Sequence, residues 1–83
     1  MIPHPAYLPT TVTYRHHLAP SLQEAQRFVG GFVELVPLKD DAQLLVNDDG
    51  LACALPFNLV ASQLAGFPVL GNAIILYGMS RWT

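Results

Sequence analysis

The sequence predicts an α+β domain: a small, mostly antiparallel sheet of about four strands with one main helix and one short helix packed on it. Three observations carry that expectation. Short apolar and β-branched runs alternate with clusters of Asn, Asp, Gly and Pro, the pattern of strands joined by tight turns. Two segments open on a capping residue and close on glycine, as helices do. With 83 residues, 52% of them hydrophobic, the chain can fill one core but not two. The reading is a Pro-rich extended leader at residues 1–9 followed by a single domain at residues 10–83.

The leader holds Pro3, Pro5 and Pro9 and shows no periodicity, so it reads as an extended arm. Thr10 to Tyr14 is β-branched and aromatic, a strand. Pro20-Ser21-Leu22-Gln23-Glu24 starts a helix, because Ser21 and Glu24 have the spacing of a capping box. Leu22, Ala25, Phe28 and Val29 follow at helical spacing, and Gly30-Gly31 supplies the left-handed stop. Phe32 to Leu38 and Gln43 to Asn47 read as an antiparallel hairpin around the polar turn Lys39-Asp40-Asp41-Ala42. Pro37 cannot donate to a ladder, which places its strand end at an edge or bulge. Asn47-Asp48-Asp49-Gly50 forms the next turn, with Gly50 suited to a positive φ. Leu51 to Leu55 adds a short strand. Leu59 to Ala65 is the second helix, with Asn58 as its N-cap and Gly66 as its stop. Val69 to Tyr77 is the final strand.

Alternation along the strands raises a question of cover. In Phe32–Leu38, Val33 and Leu35 oppose Phe32, Glu34, Val36 and Leu38. In Val69–Tyr77, Leu70, Ile74 and Leu76 oppose Val69, Ala73, Ile75 and Tyr77. Both faces are therefore apolar, although a sheet with one helix-covered face needs only one apolar side. Either the helices cover more of the sheet, or the second face meets a second chain in a homodimer.

Composition excludes several classes of function. Charged residues are 12% of the chain, with Lys plus Arg at 4, Asp plus Glu at 6 and a formal charge of -2. A nucleic-acid binder that works by displacing counterions needs clustered cations, so direct nucleic-acid binding is not expected. The longest apolar stretch, Phe67 to Met79, is interrupted by Pro68, Gly71, Asn72 and Gly78 and is too short to span a bilayer. Met1 to Pro5 lacks the basic and continuous apolar regions of a signal peptide. Cys53 is the single cysteine, which excludes an intrachain disulfide framework and a cysteine zinc site within one chain. These features together point to a reducing, cytoplasmic setting.

No constellation of residues supports catalysis. His16 and His17 on a strand would point to opposite faces and could not share a metal in the usual way; they read as surface residues, with His4 in the arm. Cys53 sits among Ala52, Ala54 and Leu55 and reads as a buried, inert thiol. Asp40-Asp41 and Asp48-Asp49 lie at turns, where aspartates cap the backbone through their own side chains, and the calcium-loop spacing is absent. The glycine pairs lack the lysine and strand-to-helix context of a phosphate loop. Tyr77 and Trp82 read either as interface anchors or as core residues closing one end of the sheet, the second being favoured. The chain is expected to be no enzyme, with no cofactor and no metal.

Several short motifs keep a distinctive order: Val29-Gly30-Gly31-Phe32-Val33-Glu34, then Leu44-Leu45-Val46-Asn47-Asp48-Asp49-Gly50, Leu55-Pro56-Phe57-Asn58, and Val69-Leu70-Gly71-Asn72-Ala73. In that order they resemble a small domain family of unknown function carried by phages, plasmids and other bacterial mobile elements, over roughly residues 22–76. The resemblance brings no catalytic residues. It implies a mobile-element accessory protein that binds and blocks a host defence complex, such as a CRISPR effector, in the host cytoplasm. The means would be steric occlusion with some acidic mimicry of DNA. The partner-binding residues would be Asp40, Asp41, Asp48, Asp49 and Glu34. Two other readings compete: a small-ligand binder such as a signalling-nucleotide sponge, and a structural or accessory protein without inhibitory action.

Overall fold

Local capping sets both helices. In the structure, a computed structural model that describes residues 8–15 and 18–82, α1 spans Leu22–Val29. The Ser21 hydroxyl accepts from the Glu24 amide at 3.0 Å, and the Glu24 carboxylate accepts from the Ser21 amide at 2.9 Å. Two donors at the helix start are thereby satisfied, and the bond from the Ser21 backbone holds the Glu24 carboxyl below its ordinary pKa. Gly30 ends α1 at φ 84, where an L-residue with a Cβ is strained. The second helix, α2, spans Leu59–Ala65 between the Asn58 cap and Gly66 at φ 81.

The strands are β1 (Thr11–Tyr14), β2 (Val33–Pro37), β3 (Gln43–Asn47) and β4 (Ala73–Leu76), in the spatial order β1-β4-β3-β2. β2 and β3 form the expected hairpin, with Val33 opposite Asn47 and Pro37 opposite Gln43. Its turn is a 3-10 turn over Lys39–Asp41. β3 pairs antiparallel with β4, and β1 joins the other side of β4 in parallel. Pro37 lies on an edge strand, where its missing N–H leaves no central ladder position empty.

Within one chain both faces of the central strands are covered. Leu44 and Val46 of β3 and Ala73 and Ile75 of β4 pack with Val69 and with Ala61 of α2. Leu45, Ile74 and Leu76 point the other way and pack with Ala25 of α1, flanked by Phe28, Val33 and Trp82. One helix thus serves each face of the central strands β3 and β4, whereas β2, apolar on both faces in sequence, is an edge strand that stays half-buried or exposed. The C-terminal end is tied into this core. Gln43 and Trp82 exchange hydrogen bonds, at 2.7 Å from the glutamine Nε2 and 2.6 Å to its Oε1, and the Trp82 indole donates to the Pro20 carbonyl at 2.9 Å. The half-buried Trp82 closes an end of the α1-side core. Tyr77 packs at the α2-side core, with the Arg15 guanidinium 4.3 Å over its ring.

Four local expectations need correction. Leu51 to Leu55 is a turn, closed by bonds from the Cys53 amide to the Asp49 carbonyl and from the Leu55 amide to the Gly50 carbonyl, each at 3.0 Å. Cys53 is consequently exposed, not buried: its apolar neighbours share the turn rather than a core. The final strand is shorter than Val69–Tyr77, because Gly71 at φ 89 breaks the chain before Ala73 and leaves Leu70 in an isolated bridge with Phe57. Gly50 is not among the positive-φ glycines; glycine fits there because a Cβ would meet the Leu70 carbonyl oxygen and Cβ at 3.1 Å.

Candidate docking surface around helix α2

α2 is built inside out. Its inward residues are small: Ala61 and Ser62 are buried and Ala65 half-buried. Its large apolar residues face outward, with Leu59 59%, Val60 55% and Leu64 45% exposed. A surface helix ordinarily turns its large side chains to the core. Here the small ones let the backbone of α2 approach the sheet, and polar groups hold it there. Asn58, 3% exposed, accepts from the Ala61 amide at 3.0 Å and donates to the Gly71 carbonyl at 2.9 Å and to the Thr11 hydroxyl at 3.0 Å. The Ser62 hydroxyl accepts from the Val69 amide at 2.7 Å. Phe57 and Phe67, at the two ends of α2, are exposed as well. The result is an apolar surface on a fixed helix, the kind of patch that marks an interaction site.

Carboxylates at the two ends of the β2–β3 hairpin border the C-terminal part of this surface. Asp40 and Asp41 occupy the hairpin turn beyond the Pro37–Gln43 pair, while Asp48 and Asp49 follow the Val33–Asn47 pair at the opposite end. Glu34, opposite Val46 on the α2 side of the sheet, joins the second group. With Asp48, Leu51 and Phe67 it lines a depression of about 180 Å³. At the other end Lys39 and Asp40 line one of about 330 Å³ with Leu64 and Tyr77. The structure therefore brings Glu34 and Asp48 beside Phe67 and Asp40 beside Leu64. Asp41 and Asp49 stand beside them in sequence and are exposed.

The turns do not use these carboxylates. It is the buried Asn47 that caps its own turn, accepting from the Asp49 amide at 2.7 Å and donating to the Val29 carbonyl at 3.1 Å. Asp40 and Asp41 take left-handed backbone angles, both at φ 60, which Asp tolerates better than most residues. Arg81 reaches the Asp41 backbone carbonyl at 3.2 Å rather than its carboxylate. Among the described residues none of the four aspartate side chains makes a hydrogen bond or ion pair, contrary to the expectation that they cap the turns. They point into solvent with their charge uncommitted.

No group of three His, Cys, Asp or Glu among the described residues comes close enough to hold a metal ion. His4, His16 and His17 lie outside the described residues. No helix among the described residues is long and apolar enough to cross a membrane.

A family model described as a domain of unknown function, DUF3846, matches residues 4–81. The chain belongs to this family. The DUF3846 match is wider than the span of the motifs, 22–76: it takes in β1 and continues through Arg81. No curated protein and no solved structure matches the chain.

The outward face of α2 escaped the sequence reading of this DUF3846 domain. Leu59, Val60 and Leu64 have helical spacing, but so do Ala61 and Ala65. Nothing local says which of two apolar sides is inward. A usable signal was the size split between those sides, large on one and small on the other.

Proposed function

We propose that this DUF3846 domain is a non-enzymatic accessory protein of a mobile element that binds and blocks a host defence complex in the cytoplasm, docking through the α2 surface. The observation that carries the reading is the inverted helix: Leu59, Val60 and Leu64 face solvent, with unpaired carboxylates beside Leu64 and Phe67. An apolar centre with a polar rim is the anatomy of a protein interface. Acidic side chains on that rim favour a partner with basic residues, such as those that hold nucleic-acid phosphates. With 6 acidic residues in the whole chain, steric blocking outweighs charge mimicry. The anti-defence context is supported by the motif resemblance to mobile-element proteins. A signalling-nucleotide sponge is less well supported, because anionic phosphates call for several converging donors. Arg27 is the single described cation lining a cleft between α1 and β1, and Lys39 the single one in the depression at the hairpin turn.

The test is protection of a targeted phage or plasmid in bacteria carrying a defined defence system, a CRISPR effector first. Wild-type protein is expected to raise recovery of the target. Leu59→Asp with Leu64→Asp should abolish that effect in a variant that circular dichroism shows to be folded, since about half of each side chain faces solvent. Asp40→Lys with Asp41→Lys should slow association and alter its salt dependence, while His16→Ala with His17→Ala should do little. Full protection by the α2 double variant would remove the reading, as would failure of the wild type against a panel of defence systems.

A further inference from the structure

We propose that the outer edge of β1, with the cleft beside it, accepts an extended peptide segment of a partner protein as a fifth strand of the sheet. This rests on neither α2 nor the acidic rim. The sheet has two edges, β1 and β2, and they are unlike. β2 carries Glu34 and Pro37, charge and proline being devices that keep an edge from recruiting another strand. β1 reads Thr-Val-Thr-Tyr and has neither.

The ladder to β4 decides which backbone groups of β1 are free. The Ala73 amide bonds to the Thr10 carbonyl at 3.0 Å and the Tyr77 amide to the Tyr14 carbonyl at 2.9 Å. Even-numbered residues thus turn their N–H and C=O groups toward β4. Those of Thr11 and Thr13 turn outward, at the spacing an added strand engages. Among the described residues no strand pairs with that side.

The chemistry of the incoming segment follows from what lies next to this edge. α1 packs over β2, β3 and β4, and beside it over β1 a cleft of about 710 Å³ opens, floored by Val12, Tyr14, Phe28 and Ile74 with Glu24 and Arg27 among its lining. Alternate side chains of an added strand point to that side of the sheet. The volume lies in the range of formed ligand sites, about 300–1,000 Å³, and accommodates more than one large apolar side chain. Glu24 is already bonded to the Ser21 amide. Arg27 makes no hydrogen bond among the described residues, so it is the cation available to a guest. The segment that fits is extended, apolar at alternate positions, and carries a carboxylate beside one of them.

Panning a random peptide display library against the full chain tests this, followed by amide NMR and hydrogen exchange with a recovered synthetic peptide. Recovered sequences are expected to alternate apolar residues and to carry an acidic one. Binding should shift and protect the Thr11 and Thr13 amides, an effect read in the unmodified protein. Thr13→Pro removes an outward donor without touching the β4 ladder and should weaken binding by about tenfold or more, a difference of about 1.4 kcal/mol. Arg27→Gln should erase the acidic preference, and the α2 double variant should bind the peptide normally. The proposal falls if the peptides protect α2 residues instead, or if Thr13→Pro folds and binds as wild type. It falls equally if the library yields no ligand for this edge, or if the two amides become protected on self-association without peptide.

Discussion

Replacing Asn58 with alanine tests how α2 is held against the sheet. The side chain is buried, caps α2 through its oxygen, and donates from its nitrogen to the Gly71 carbonyl and the Thr11 hydroxyl. Loss of an Asn cap costs about 1 kcal/mol. Asn58→Ala also strips the buried Gly71 carbonyl of its donor, an orphaned group worth about 1–3 kcal/mol. The hydroxyl of Thr11, half-buried at the strand, can turn to water and adds little. The expected loss is therefore about 2–4 kcal/mol. For a domain of this size each kcal/mol moves the melting temperature by about 4–8 °C, so the drop should be roughly 10–30 °C. Urea unfolding followed by far-UV circular dichroism, with an unchanged slope, gives the free energy directly. Asn58→Asp separates the two roles, because it keeps the cap acceptor but aims a carboxylate at the Gly71 carbonyl. That charge is disfavoured in the folded state, which then holds its proton more tightly than the unfolded chain does. The variant should be at least as unstable as Asn58→Ala at neutral pH and regain stability on acidification. A loss below about 1 kcal/mol for Asn58→Ala, or wild-type stability for Asn58→Asp at neutral pH, would refute this account of α2.

Three further outcomes follow from the geometry. The Glu24 carboxyl has a lowered pKa in the fold through its bonds to Ser21, so its contribution is present above the ordinary glutamate range and is lost as the pH falls through the folded-state value. Melting temperatures from about pH 7 down to about pH 3 should therefore fall less for Glu24→Gln than for wild type, and an equal fall would break the link. Gly71→Ala should cost more than Gly30→Ala: both positions have left-handed backbones, but a Cβ at Gly71 would meet Leu55 Cδ1 at 2.7 Å whereas Gly30 has nothing within 4 Å. Equal destabilisation in urea titrations would show that the Leu55 contact is immaterial. Cys53 should react with a chromogenic disulfide reagent in the folded protein, one equivalent per chain; reaction that waits for denaturant would place the thiol inside.

Ser21, Gly30, Asn58 and Gly66 were legible in the sequence because capping is local: a hydroxyl or amide meets a backbone amide within its own turn, and a glycine takes φ angles that other residues avoid. The hairpin was legible for the same reason, its alternation and turn residues lying within one short stretch. Family membership, too, was carried by short ordered motifs. Cys53 and the segment Leu51–Leu55 were not legible, since a run of small apolar residues suits a strand as well as a tight turn, and only its surroundings choose. The same holds for Val69–Leu70, cut off from β4 by the bend at Gly71.

The sequence by itself determined where the two helices begin and end, that the chain forms a β2–β3 hairpin, and that charge is too sparse for a counterion-driven grip on nucleic acid. Tertiary structure decided what the faces of the sheet meet. By placing α1 and α2 on opposite sides it buried Leu44 and Leu45 under different helices, and by seating α2 on Ala61 and Ser62 it left Leu59, Val60 and Leu64 in solvent. It also set the parallel β1–β4 pair, and with it the free edge at Thr11 and Thr13. The physical reason is range. Caps and turns are settled by bonds within a few residues, whereas the side of a helix that faces inward, and the partner a strand takes, depend on groups dozens of residues away that meet only once the chain has folded.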